Sequence, residues 1–257
     1  MQNINFNKVK FFKKYMNIEE YLENEKLKDE DLSFKELEQK IFKIGGQSKV
    51  NEFFNLANNC YEKNEIREFY NFLSEEHMSK IQRNLTVNQF VNSAEYINKK
   101  LFGSKIILDI GCNDGLKTIF YAINNPKSQI IGIDIAENPL NIAKEKSDRN
   151  KCKNVRFFKK NFLNKPIRHK FDIIILDHVL HELFDNYAGK LKSYLRPLMN
   201  DGGLMITSLT PSDMEYHKFE WNHQMPSEGL IQIEERIIPY FRFKEKKEAY
   251  VSILRKN

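Results

Sequence analysis

The chain reads as an α/β protein: a seven-stranded, mostly parallel sheet closed by an antiparallel C-terminal hairpin and preceded by an all-helical N-terminal region. Three observations predict this. From Lys105 onward, short apolar runs alternate with helical patterns, the signature of strand–helix–strand units. The last two apolar runs, 237–243 and 249–254, are joined only by the charged K-E-K-K-E, too short for a crossover helix. Residues 1–103 show helical spacing and no strand alternation.

The helical region begins with Phe6, Val9, Phe12 and Met16 at helical spacing. Ser33 with Glu36 forms a capping box ahead of Phe34, Leu37, Ile41 and Ile44, and Gly45-Gly46 ends that helix. Val50, Phe53, Phe54 and Ala57 carry the next segment. A longer one bears Ile66, Phe69, Tyr70, Leu73, Met78 and Ile81. Thr86 caps a stripe of Val87, Phe90, Val91, Ala94, Ile97 and Leu101. These amphipathic helices must bury their apolar faces, either as a small bundle or across the following domain. The expected division is 1–101 as helical cap or substrate region and 102–257 as the α/β domain.

In that domain, strand one spans 105–110 and its helix 115–125. Strand two is 129–134, with its helix capped by Asn138 and Pro139 in the first turn. Strand three, 154–158, is expected at a sheet edge because Arg156 and the neighbouring lysines crowd it. Strand four, 171–176, leads through Asp177 to a helix from about His181 to Arg196. Asp201-Gly202-Gly203 then turns into strand five, 204–208.

The stretch I-I-L-D-I-G-C-N-D-G, 106–115, puts a glycine turn between a buried strand and a helix that starts at once (Leu116, Ile119, Phe120, Ile123). That geometry aims backbone N–H groups and a helix N-terminus at a bound ligand. Asp109 adds a carboxylate that would repel a pyrophosphate but can hold an ammonium or a ribose hydroxyl. D-x-G-x-x-x-G after an apolar strand resembles motif I of the class I, Rossmann-like S-adenosylmethionine-dependent methyltransferases. Asn113 stands where that family usually has a mid-turn glycine, and Asn is the non-glycine residue that best tolerates a left-handed backbone there. A dinucleotide-binding turn reads similarly. The antiparallel C-terminal hairpin is the second point of likeness and argues against a dehydrogenase.

The resemblance implies S-adenosylmethionine as cofactor, with S-adenosylhomocysteine as product. Asp109 and the turn Gly111, Cys112, Asn113 and Gly115 would hold its methionine end. Asp134, 25 residues beyond Asp109, ends strand two, where an acid accepts both ribose hydroxyls. Its competing role is to cap the local turn. Ile135 would press on an adenine face, Asn161 would bond the adenine amino group and Phe162 would pack on the ring, with Asn161 equally at home as a loop residue. Asp177 and His178 sit at the tip of strand four, where open α/β sheets bind ligands. His178 and His181 are the candidate bases for a hydroxyl or amine acceptor. H-x-x-H-E with Asp177 lacks a distant third ligand, so no metal is expected. Tyr15, Tyr21, Tyr61 and Tyr70 could line an acceptor pocket, but core packing is the commoner fate of such residues.

Composition bounds the partners. No run of about 18 apolar residues exists, so no membrane span is expected. The opening residues M-Q-N-I-N-F-N-K lack the apolar middle segment of a secretory signal, so none is expected. Three scattered cysteines (Cys60, Cys112, Cys152) give no disulfide framework, and a reducing cytoplasm is the expected home. Net charge is +6, with 16 basic and 16 acidic residues balanced over 1–100, so the excess lies beyond. Eleven Lys/Arg fall between Lys144 and Lys170 against Glu145 and Asp148. Such a band reads first as a solvated surface and second as a footing for RNA. The expected acceptor is therefore a small molecule or peptide, methylated on oxygen or nitrogen under the helical cap. The alternatives are an RNA or protein methyltransferase using the Lys144–Lys170 band, a non-catalytic scaffold of the same fold, and a nicotinamide dehydrogenase. Homodimerisation stays open.

Overall fold

The computed structural model describes residues 18–25, 32–62, 66–75, 78, 81, 93–164, 167–180, 191, 194–209, 229–242 and 245–257. Seven strands form one sheet: β1 (Ile106–Ile110), β2 (Gln129–Asp134), β3 (Val155–Lys159), β4 (Phe171–Asp177), β5 (Met199–Leu209), β6 (Leu230–Arg242) and β7 (Glu245–Lys256). Their order is β3-β2-β1-β4-β5-β7-β6. The four pairings among β1 to β5 are parallel, and β7 runs antiparallel to both β5 and β6. The predicted fold class is therefore the observed one, with β3 at an edge as its charge suggests. Both hairpin strands start earlier than their apolar runs: β6 because Leu230 onward pairs with the far end of β7, and β7 because Glu245 to Lys247 pair with β6 instead of forming the joint.

Period-two alternation sends the strand side chains into two cores. Ile107, Ile130, Ile173, Ile206 and Ile253 lie on one face, with helices α5 (Leu116–Asn124) and α6 (Glu137–Arg149). Leu108, Ile110, Ile133, Ile174, Leu176 and Met205 lie on the other, with Leu191 and Leu195. The helix predicted to reach Arg196 has already tightened into a 3₁₀ turn at Arg196–Leu198, where Pro197 cannot supply the next amide.

In the N-terminal region, α1 (Ile18–Asn24), α2 (Phe34–Glu62), α3 (Ile66–Leu73) and α4 (93–100) are described. Ser33 and Glu36 make the predicted capping box: the Ser33 N–H and hydroxyl donate to Glu36 Oε2 at 2.8 and 2.6 Å. The helix breaks inside α2 where Gly46 takes φ 65°. Leu37, Ile41, Val50, Phe72, Leu73 and Met78 form a separate small core. By contrast, Ala94, Tyr96, Ile97 and Leu101 belong to the main sheet core, as does Tyr21 of α1. Tyr21 is fully buried, packs its ring at a tilt against Phe120 and donates to the Leu116 carbonyl at 2.8 Å, so it takes the core-packing fate. The Thr86 cap and Tyr15 lie outside the described residues. No helix among the described residues is long and apolar enough to cross a membrane.

Candidate functional site

The switch point of this sheet lies between β1 and β4, because the chain leaves β1 toward β2 on one side and returns to β4 on the other. Open α/β sheets bind ligands in the crevice beyond the carboxyl ends of the strands at that point. The turn 111–115 stands there. Gly111, Asn113 and Gly115 all take positive φ, at 74°, 49° and 72°, so the Asn does what the family's glycine does. Two of the glycines are also required sterically. A Cβ on Gly111 would sit 2.5 Å from Val179 Cγ2, and one on Gly115 would sit 2.7 Å from Ala143 Cβ.

The turn's first two amides are committed to the sheet: Gly111 and Cys112 both donate to the Ile133 carbonyl, at 2.8 and 3.1 Å. Cys112 is buried, and burial, then the acids Asp134 and Asp109, pushes its thiol well above the ordinary range. The third amide, Asn113 N–H, donates to Asp134 Oδ2 at 2.9 Å, while Ala136 N–H donates to Oδ1 at 2.9 Å. Two backbone donors thus fix the carboxylate at the end of β2, half-buried beside the half-buried Ile135.

One sequence expectation is corrected here. The cap of α6 falls at Ala136, in extended conformation with no side-chain bond, and not at Asn138, which lies inside the helix. The extended Ala136 is held by Asp134 itself, so Asp134 performs the local turn-capping role as well. Asn161 likewise serves its own loop, accepting from Leu163 N–H at 3.0 Å. Phe162 is buried in the core beneath β1 and β4 with Ile133 and Leu163.

Asp109 and Asp134 occupy different environments. The alternation of β1 turns Asp109, like Ile107, toward α5, where its carboxylate accepts the Thr118 hydroxyl at 2.5 Å. Complete burial raises its pKa to about 7; Thr118 and Lys117 work against that rise, and the neighbouring Asp177 and Asp134 add to it. Asp177 goes the other way. Burial would raise it, but Lys117 and His178, with hydrogen bonds from Lys117 and Ser208, bring it below its usual value.

Two residues that the motif reading passes over complete this site. Lys117, in the first turn of α5, pairs with Asp177 at the tip of β4 and donates to Ser93 Oγ of α4 at 3.0 Å. Ser208 of β5 donates its hydroxyl to Asp177 Oδ1 and accepts the His178 N–H at 3.0 Å. His178 carries φ 54°, uncommon for a residue with a side chain, and its Nε2 stands 3.7 Å from Asp177 Oδ1. His181 lies outside the described residues. The sequence did carry a signal for Lys117: it is the single charge in the otherwise apolar L-K-T-I-F-Y-A-I.

Of the basic band, Lys146 is buried against Asp114 at 2.6 Å, Arg149 pairs with Glu25 at 2.6 Å and Lys159 with Glu137 at 2.6 Å. Part of that charge is therefore neutralised within the fold.

A family model described as a methyltransferase domain matches residues 101–256. Among curated relatives, an uncharacterised protein of Rickettsia prowazekii is 32% identical over 103 residues, covering 40% of this chain and 41% of the relative. A demethylmenaquinone methyltransferase of Lactococcus lactis is 29% identical over 131 residues, covering 49% and 52%. The chain thus spans about half or less of the length of these relatives. The N-methyltransferase NodS of Bradyrhizobium japonicum, solved with S-adenosylhomocysteine, superposes with TM-score 0.54 at 17% identity over 77% of this chain and 98% of its own. A SAM-dependent methyltransferase of Aquifex aeolicus gives 0.54 at 17% identity, covering 68% and 97%. Structural likeness at that identity speaks for the fold, and the family model speaks for the sequence. On both, the chain belongs to the class I S-adenosylmethionine-dependent methyltransferases.

Proposed function

We propose that this enzyme moves the methyl group of S-adenosylmethionine to the oxygen or nitrogen of a small-molecule or short peptide acceptor. The observation that carries the cofactor assignment is the Asp134 carboxylate, held at the end of β2 by the amides of Asn113 and Ala136. An ionised carboxylate presents two acceptor oxygens, and the pair suits the paired hydroxyls of a ribose. Ile135, beside it, offers apolar surface to the adenine. The Asn161 side-chain amide would address the adenine edge, with Phe162 supporting it from the core. The residues present therefore fit the group. When bound, the cofactor supplies an activated methyl on a sulfonium.

What the chain itself must do is align, exclude water and receive a proton. Methyl transfer is an in-line displacement, so placement of the acceptor behind the methyl dominates the rate. His178 stands at the tip of β4, its backbone locked by Ser208 and its ring beside Asp177. From there its imidazole takes the proton that a hydroxyl or ammonium acceptor loses. Asp109, enclosed with Thr118, lies behind the methionine end and carries its negative charge only above about pH 7.

The preference for a small acceptor rests on the helical region. Ser93 of α4 bonds Lys117 at the switch point, so residues of that region border the crevice. The Lactococcus lactis relative is named for a small-molecule acceptor, demethylmenaquinone. The ion pairs of Lys146, Arg149 and Lys159 leave less of the basic band for RNA.

Calorimetry with S-adenosylhomocysteine tests this reading. The wild type should bind, and Asp134→Ala should weaken binding by about 10- to 100-fold, the worth of charge-assisted hydrogen bonds to two hydroxyls. Wild-type affinity in that variant overturns the site. Binding to RNA with a steep salt dependence would overturn the small-acceptor preference.

A further inference from the structure

We propose that the free edge of β3 is a docking strand for an extended acidic segment of a partner protein, which adds to the sheet alongside Val155–Lys159. β2 and β1 separate this edge from the switch point, so the proposal does not rest on the cofactor reading.

The backbone sets the template. β3 is an outer strand of the sheet and pairs only with β2. The Asn154 carbonyl accepts the Ile130 N–H, and the Lys160 N–H donates to the Asp134 carbonyl, both at 2.8 Å. Backbone groups alternate sides along a parallel ladder, so those of Arg156 and Phe158 also face β2. The N–H and C=O groups of Val155, Phe157 and Lys159 therefore point away from the sheet. Such an edge templates the pairing of another chain unless it is blunted. The opposite edge is blunted: β6 carries a register shift at Gln232/Glu234 and a proline at Pro239. β3 has neither, and its five residues keep an unbroken register with β2.

The side chains choose the occupant. Val155 and Phe157 point into the core on the α5 and α6 side, so alternation sends Arg156, Phe158 and, just past the strand, Lys160 to the other face. The connection 160–170 forms no helix among its described residues to shield that face, and Phe158 keeps 47% of its surface exposed. Residues 151–170 hold eight Lys/Arg and no acid. Lys159 pairs with Glu137, but among the described residues no acid pairs with Lys151, Lys153, Arg156 or Lys160. A second copy of this edge would set like charges against each other. A strand reading acid–x–apolar–x–acid matches the face at its own period, with acids beside Arg156 and Lys160 and an apolar residue on Phe158. A nucleic acid would meet the cations but would supply no ladder for the outward amides and carbonyls, as an extended peptide does.

The test uses the full chain and fluorescein-labelled peptides read by fluorescence anisotropy. The parent probe is T-E-T-V-T-E-T, and a second peptide has glutamine in place of both glutamates. Two more carry N-methyl groups on alternate amides, one set along each edge of the extended peptide, with the parent's charge unchanged. The parent should bind with a dissociation constant of about 10 μM to 1 mM, the weak end expected of so small an interface. The glutamine peptide should bind about tenfold or more weakly. One N-methylated peptide should lose about tenfold or more, while the other, methylated on its outer edge, keeps the parent's affinity. Arg156→Glu should weaken the parent about tenfold or more and Phe158→Ser about three- to tenfold; both side chains are exposed, so neither change disturbs the fold. Equal affinity of the two N-methylated peptides would mean that charge alone holds the probe, and overturns the docking strand without any variant. Failure of the parent to bind at about 1 mM overturns it too. So does an oligouridine that binds more tightly than the parent and is lost in Arg156→Glu, since the surface then belongs to nucleic acid.

Discussion

Asp109 is the group whose replacement speaks most directly about the physics of this fold. It is completely buried, and its pKa rises from 3.8 to about 7. A group that holds its proton more tightly in the folded than in the unfolded state makes folding proton-coupled. Between pH 4 and 7 the native protein binds the extra proton, so stability falls as pH rises across that window. Three pKa units at about 1.4 kcal/mol each put the loss on the order of 4 kcal/mol by pH 8. Asp177 acts in the opposite sense and elsewhere. Its folded value lies below the ordinary 3.8, so its contribution is present above about pH 4 and fades only in stronger acid. The two windows scarcely overlap, which makes the first measurable. Asp109→Asn keeps an oxygen for the Thr118 hydroxyl and removes the titration. Urea unfolding followed by circular dichroism at pH 5, 6, 7 and 8 should show the wild type losing stability along the series and the variant losing much less. The variant should be the more stable protein at pH 8. A variant less stable than wild type at pH 8, with the same slope between pH 5 and 7, would refute the reasoning.

Three further outcomes follow from the same geometry. Gly115→Ala should destabilise by about 2–4 kcal/mol in urea unfolding, since it adds left-handed strain to a clash with Ala143 and the Phe157 ring. Lys146→Met should cost about 3–5 kcal/mol, because it leaves Asp114 largely buried without its cation; near-wild-type unfolding would show that water replaces the lysine. Ser208→Ala removes the hydroxyl that accepts the His178 N–H and donates to Asp177 Oδ1, leaving that amide its 3.3 Å bond to the Ser208 carbonyl, and should lower kcat about tenfold or more with little change in S-adenosylhomocysteine affinity.

The architecture was legible because its determinants are local. Buried parallel strands are continuous apolar runs, and F-D-I-I-I-L in β4 or Q-I-I-G-I-D in β2 has no other reading at that length. The Ser33–Glu36 box and the break at Gly46 were legible for the same reason, as each is decided within four residues. Boundaries failed where partners outrank composition. The charged Glu245 to Lys247 reads as a joint, yet an antiparallel neighbour pairs its backbone whatever the side chains are. Asn138 reads as a cap on residue type and spacing to Pro139, but the chain reaches helical geometry two residues earlier because Asp134 already holds Ala136.

In the site, the sequence placed the turn and the two strand-end acids but could not distribute their roles. Spacing alone makes Asp109 and Asp134 look alike. One lies within its strand and follows the pleat toward α5, while the other ends its strand and is caught by two amides. That difference of one position separates a carboxyl near neutral pKa from a fixed, half-buried acceptor. Lys117 escaped for a different reason. Its partner Asp177 is 60 residues away, and Ser93 lies 24 residues before it. A lysine within an apolar helix is costly unless something opposite pays for its burial, so the residue type itself demands an acid. Topology then names which one. With α5 leaving β1 and β4 lying next to β1, the acid at the tip of β4 comes within reach of the helix's opening turn. A sequence reading that asks where each charge in an apolar helix finds its counter-charge would reach the same crevice as the glycine motif, from independent residues.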